Sequence, residues 1–211
     1  MSVEGDEVVI WLTVRGLETP PYYSRSLQPS DGYDGAMSKP ATWSDPAVVL
    51  ATCAGLGRVP VAPGTFGSAA GIVLSIATGG LAAAIARRLP DTAAVDASVL
   101  EAAAVAVICL FGIPICTRAA RLLGRGEDPG AIVFDELAAV PLALLVVPFA
   151  QRSLVPLVAG FLLFRLFDVG KPFPCRRLEH LPEGLGIMAD DWAAAAWTAV
   201  CLVIARWQGW M

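Results

Sequence analysis

Apolar runs at 64–86, 99–117, 131–150, 154–170 and 187–205 fill most of the chain beyond residue 60. Each approaches the roughly 20 residues that cross a bilayer as a helix. Backbone in lipid has no water to bond with and must satisfy its own N–H and C=O groups, which helices of this length do. Composition agrees: 56% of residues are hydrophobic and only 16% charged, against about 25% charged in soluble domains. The mean hydropathy is +0.64. The expected fold is an all-α, polytopic membrane protein with about five membrane-embedded helices.

What precedes these runs differs in kind. Residues 1–44 are polar and broken by Pro20, Pro21, Pro29, Gly32, Gly35 and Pro40, and read as a mobile cytosolic tail ahead of a membrane-embedded domain at 45–211. Within that tail, VVIWLTV at 8–14 suits a short strand or an interfacial segment. It is not the core of a secretory signal, because Glu4, Asp6 and Glu7 stand where a basic region belongs. The stretch DPAVVLATCAGL at 45–56, with Asp45 as N-cap, is too short to span, so it lies in the interface or re-enters. Five cysteines, at 53, 109, 116, 175 and 201, form no CxxC pair. Four lie in apolar stretches, where cysteine serves as a small hydrophobe, which argues against zinc or a disulfide framework.

The charges set into the apolar runs carry the functional information. In 161–191, FLLFRLFDVGKPFPCRRLEHLPEGLGIMADD, the residues Arg165, Asp168 and Lys171 recur at a spacing of three and share one flank of a helix. Pro172 and Pro174 end that helix, since a residue before proline avoids the α region. Asp190 and Asp191 adjoin the start of the last run, and Asp135 and Glu136 lie near the start of the third. An ionisable group at a membrane centre costs roughly 2.5–3.5 kcal/mol, so compensating partners are required. A metal ion and an anionic ligand would compensate both signs together.

Alternating crossings from a first entry at 63–68 put Thr65, Ser68, Asp135, Glu136, Asp168, Lys171, Asp190 and Asp191 towards one side. That side also carries Arg58, Arg118, Arg121, Arg125, Arg176 and Arg177, against Arg87, Arg88, Arg152 and Arg206 on the other. The excess of basic residues makes it cytoplasmic. Four segments thus deliver polar groups to one layer near the cytoplasmic side.

The layer's chemistry follows from its residue types. PGTFGS at 63–68 opens a helix whose first N–H groups are unpaired, and Gly64 and Gly67 allow close approach while Thr65 and Ser68 add hydroxyls. Such a helix start can hold a phosphate, although no Walker A lysine follows, and a plain turn with a threonine cap is the alternative. Singly, Asp135 could balance an arginine, Asp191 could cap the last helix, and Arg165–Asp168 could be an intrahelical pair. Jointly, Asp135, Glu136, Asp168, Asp190 and Asp191 outnumber the embedded Arg165 and Lys171. Hard oxygen ligands in that number suit Mg²⁺ shared with a substrate phosphate. His180 lies in a loop and reads as solvated, and no Ser-His or Cys-His arrangement is visible, which leaves metal-assisted attack by water.

PGTFGS at 63–68, DE at 135–136, FRLFDVGKPFP at 164–174 and GIMADD at 186–191 together resemble the phosphatidylglycerophosphatase A family, over about residues 45–206. The resemblance implies an all-helical, membrane-embedded, Mg²⁺-dependent lipid phosphatase of the bacterial inner membrane, its site facing the cytoplasm. Its substrate would be phosphatidylglycerophosphate, with the acyl tails left in the lipid bilayer and phosphatidylglycerol as product. Ala139 and Ala195 depart from the pattern, each standing where the family usually has glycine. In this reading Asp135, Glu136, Asp168 and Asp190 or Asp191 hold Mg²⁺. Arg165 and Lys171 neutralise the phosphate, and Gly64, Thr65, Gly67 and Ser68 cradle it. No nucleic-acid partner is expected, and an oligomer is left open. The rival from another class is an ion or solute transporter using the carboxylates as a cation site, although no repeated halves support it. A scaffold needs no buried carboxylates.

Overall fold

The computed structural model describes residues 43–89, 96–123 and 129–210, and among them every regular element is helical. Helix α1 (Pro46–Ala51) starts where Asp45, in extended backbone, accepts the Ala47 N–H at 2.9 Å and Pro46 opens the first turn. Then come α2 (Pro63–Ala86), α3 (Ala97–Leu123), α4 (Phe134–Leu144), α5 (Leu154–Gly170), the single turn α6 (Cys175–Leu178) and α7 (Glu183–Trp207). One-turn 3₁₀ helices stand at Leu56–Arg58, Pro129–Ala131 and Phe149–Gln151. The tail expected at 1–44 lies outside the described residues except for Trp43 and Ser44. Trp43 sits 4.4 Å beneath the Arg58 guanidinium.

Among the described residues, α2, α3 and α7 are long and apolar enough to cross a membrane. Helix α5 has 17 residues and ends as expected, with Lys171 as its cap ahead of Pro172. The third apolar run differs from its expected extent. Only 11 of its residues, Phe134–Leu144, form α4, about 16 Å of helix against a hydrocarbon core of about 30 Å. Its apolarity reflects burial in protein, because α2, α3, α5 and α7 all pack around it. A short helix buried on every side and a membrane helix read alike in sequence. The last helix also departs from expectation, beginning at Glu183 rather than 187. Asp190 and Asp191 are therefore interior helical residues, and neither is an N-cap.

α4 sits at the centre on small side chains: Ala138, Ala139 and Ala143 are buried. Gly67 and Gly71 let α2 come so close that a Cβ at either would lie 2.9 Å from a carbonyl oxygen, of Val133 or Leu137 respectively. Ala139 and Ala195 belong to one core cluster with Leu144, Phe164 and Leu202. Both methyl groups are thus accommodated in packing. Before α4, the Val133 N–H donates to the Ala51 carbonyl at 2.9 Å.

After α4, the chain turns inside the bundle, and two arginines take its terminal carbonyls. Arg152 donates from Nε to Val147 O (3.0 Å) and from Nη2 to Leu144 O (3.0 Å), and Arg206 donates to Val146 O. Arg152 also reaches Ser75 on α2 and is ion-paired with Glu101 on α3. Its side chain is 1% exposed and that of Glu101 is 5% exposed. In sequence Arg152 reads as a loop charge, and Glu101 stands in an apolar run with no sign of a partner.

Candidate active site

Asp135 and Glu136 occupy the first turn of α4, and Asp191 is buried in the third turn of α7. The packing of α4 on α7 brings their carboxylates together: one oxygen from each lies within 4.8 Å of the others. Asp135 Oδ1, Glu136 Oε2 and Asp191 Oδ2 are buried with no hydrogen-bond partner, the only carboxylate oxygens so placed among the described residues. Three like charges with buried, unsatisfied oxygens repel one another and lack hydration. Hard oxygen donors converging in this way could hold a divalent cation.

The two remaining carboxylates of the layer are matched. Arg165 pairs with Asp168 three residues on and approaches Glu136 Oε1 at 3.9 Å. The intrahelical pair is therefore real, and its arginine also borders the cluster. Lys171 takes the left-handed conformation (φ 43°) as it caps α5, and its N–H donates to Phe167 O at 2.8 Å. Glycine usually fills such a position, because a Cβ there is strained. From this turn Nζ reaches Asp190 at 2.9 Å and Glu179 at 3.1 Å. Burial alone would lower the Lys171 pKa, but its bonds to Asp190 and Glu179 outweigh that and raise it. Pairing Asp168 and Asp190 with Arg165 and Lys171 leaves Asp135, Glu136 and Asp191 as the unmatched set.

The PGTFGS start is built around a carboxylate. A Cβ at Gly64 would lie 2.1 Å from Glu136 Oε1 and 3.1 Å from Arg165 Nη1, so this glycine makes room for both. No side chain caps the helix start, where the partial positive charge of unpaired N–H groups favours the Glu136 anion. Thr65 is half-buried beside it. Ser68 is fully buried and donates its hydroxyl to Gly64 O at 2.8 Å, so that hydroxyl is already spent.

Other nucleophiles fall away. The Cys53 thiol is pushed up to about 11, first by burial and then by the negative charge of Glu136, and stays protonated near neutrality. His180 is exposed in the loop before α7. Sequence reasoning missed Glu179 as a partner of Lys171, since nothing periodic links a loop glutamate to a residue eight positions earlier.

The fold and this site define a helical membrane protein with a buried carboxylate cluster flanked by paired cations. The family model for phosphatidylglycerophosphatase A matches residues 49–206. A putative phosphatidylinositol-3-phosphatase from Bacteroides thetaiotaomicron is 35% identical over 76% of this chain and 93% of its own. Phosphatidylglycerophosphatase A from Haemophilus influenzae is 34% identical over 79% and 91%, and that from Escherichia coli 31% over 74% and 81%. No solved structure matches the chain. The chain belongs to the phosphatidylglycerophosphatase A family and is a phosphatase, a phosphoric monoester hydrolase.

Proposed function

We propose that the protein hydrolyses phosphatidylglycerophosphate to phosphatidylglycerol and phosphate, with Mg²⁺ held by Asp135, Glu136 and Asp191. The observation that carries this reading is the convergence of three unpartnered, buried carboxylate oxygens within 4.8 Å. A divalent ion there would supply positive charge to the phosphoryl oxygens and acidify water. Arg165 and Lys171, held by Asp168 and Asp190, border the cluster from α5 and its cap. They orient the phosphate and neutralise charge developing in the transition state. A water oxygen bonds to phosphorus while the bond from phosphorus to the glycerol oxygen breaks. The water's proton passes to a carboxylate of the cluster, and the departing oxygen takes up a proton from that protonated carboxyl and leaves as the alcohol. The amide end of α2 at Gly64 and Thr65 borders the phosphate, whereas the bonded hydroxyl of Ser68 takes no direct part.

We further place α2, α3, α5 and α7, with the half-length α4 between them, in the bacterial inner membrane, the site facing the cytoplasm. Burial of Arg152 supports this orientation, since it removes one charge from the opposite side's count. Membership in a phosphatase family displaces the transporter alternative.

Phosphate release from lipid vesicles tests the reading. With purified protein and Mg²⁺, phosphatidylglycerophosphate should be the preferred substrate over phosphatidylinositol 3-phosphate, the headgroup in the Bacteroides relative's name. A reversed preference overturns the headgroup assignment, and undiminished turnover in excess EDTA overturns the metal.

A further inference from the structure

We propose that Arg152 is a positioning residue that sets the register of α4, and through it the placement of Asp135 and Glu136 in the metal site. The inference rests on the metal reading above. Arg152 spends every nitrogen. Nε bonds Val147 O, Nη1 bonds Ser75 O (3.0 Å), Ser75 Oγ (3.1 Å) and Glu101 Oε1 (2.5 Å), and Nη2 bonds Glu101 Oε2 and Leu144 O (both 3.0 Å). One guanidinium therefore fastens the carbonyl end of α4 to α2 and α3 inside the bundle. Unpaired carbonyls are costly in apolar surroundings, and this bonding joins the Val147 N–H at Leu144 O (3.0 Å) in satisfying the end of α4 and the turn after it.

The fastening acts together with close packing along α4. The helix presents Ala138, Ala139 and Ala143 to its neighbours and seats Val140 against Gly71 on α2 and Leu144 against Gly160 on α5. A slip of one residue would move Asp135 and Glu136 by about 1.5 Å along the axis and swing them about 100° around it. Functional groups must be held to within about 0.5 Å. Asp135 and Leu144 are ends of one continuous helix, so fixing the far end fixes the near one. Setting register is the best-attested use of a buried ionic group.

The test is Mn²⁺ binding followed by electron paramagnetic resonance on the full chain in detergent, alongside the thermal midpoint and kcat. The proteins are wild type, Asp191→Asn, Glu101→Gln, Arg152→Lys and the double variant Arg152→Met/Glu101→Met. The double variant removes both charges together and so relieves the unpaired-charge penalty of a single change, but it takes the guanidinium bonds away from the Leu144 and Val147 carbonyls. It should melt higher than Glu101→Gln yet bind Mn²⁺ about tenfold more weakly than wild type, near the low end for indirect supports of a metal site. A merely structural pair predicts the recovery without the weakening. A folded double variant binding Mn²⁺ like wild type overturns the proposal. If the double variant does not fold, Arg152→Lys decides: lysine keeps the charge but cannot span the same carbonyls, so wild-type Mn²⁺ affinity there also overturns it. Asp191→Asn separates the two readings. If it leaves Mn²⁺ binding unchanged, the metal assignment is wrong and the positioning role falls with it. If it abolishes binding while the Arg152 variants bind normally, only the positioning role is wrong.

Discussion

At the start of α4, Asp135 and Glu136 carry buried oxygens with no partner, whereas beyond its other end every nitrogen of Arg152 is bonded. Both ends place charge among apolar residues, although in sequence Arg152 reads as an ordinary loop charge. A buried charge whose bonds are all made within the protein is complete and reads as architecture. One whose bonds are unmade carries its desolvation cost without return, and it persists where something outside the chain completes it. One short helix and the turn after it separate these two situations.

Removing the unmatched charges should have the largest effect. Asp135→Asn and Asp191→Asn are each expected to lower kcat/KM on the order of a thousandfold, while the metal-free proteins melt no lower than wild type, because mutual repulsion is relieved. A large drop in the metal-free midpoint would make the cluster architectural, and the contrast between the two ends would vanish. Chelation with EDTA should abolish turnover reversibly, with activity returning on addition of Mg²⁺.

The matched carboxylates sharpen the comparison. Asp168→Asn is expected to be nearly inactive, and adding Arg165→Gln should not revive it, since the arginine borders Glu136 as well as Asp168. Recovery of the double variant towards wild-type rate would make the pair purely structural and remove Arg165 from the phosphate. Asp190→Asn should lose roughly ten- to a hundredfold, mostly in KM, because it leaves Lys171 held by Glu179 alone without touching the cluster. A loss equal to that of Asp191→Asn would erase the distinction drawn within the aspartate pair.

The smallest effect is expected at the departures from the family pattern. Ala139→Gly and Ala195→Gly should each lower stability by about 0.5–1 kcal/mol, the ordinary cost of glycine in a helix interior, with kcat unchanged. A fall in kcat would extend the site into the α4–α7 packing.

Sequence made the helical class, the ends of α2 and α5 and the charges that meet in the carboxylate cluster and its flanking ion pairs legible, because apolar periodicity, prolines and charges in apolar runs are local signals. It did not reveal how the aspartate pair divides. Asp190 and Asp191 are neighbours in sequence, but about 100° of helical rotation turns one towards Lys171 and the other towards Asp135. Nor did it reveal that the third run is a half-length helix, since lipid and protein make equally apolar surroundings. The Arg152–Glu101 pair joins residues 51 positions apart, and pairing at that separation leaves no periodic trace.

Gly64 and Glu136 also constrain how the sequence can drift. With only 2.1 Å between a Cβ at Gly64 and Glu136 Oε1, no side chain can enter at 64 while the glutamate keeps its pose. Shortening the glutamate first would open the space but withdraw a charge from the cluster. A side chain at 64 is therefore admitted only with a new pose for the Glu136 carboxylate, which ties the tolerance of one position to the residue at the other.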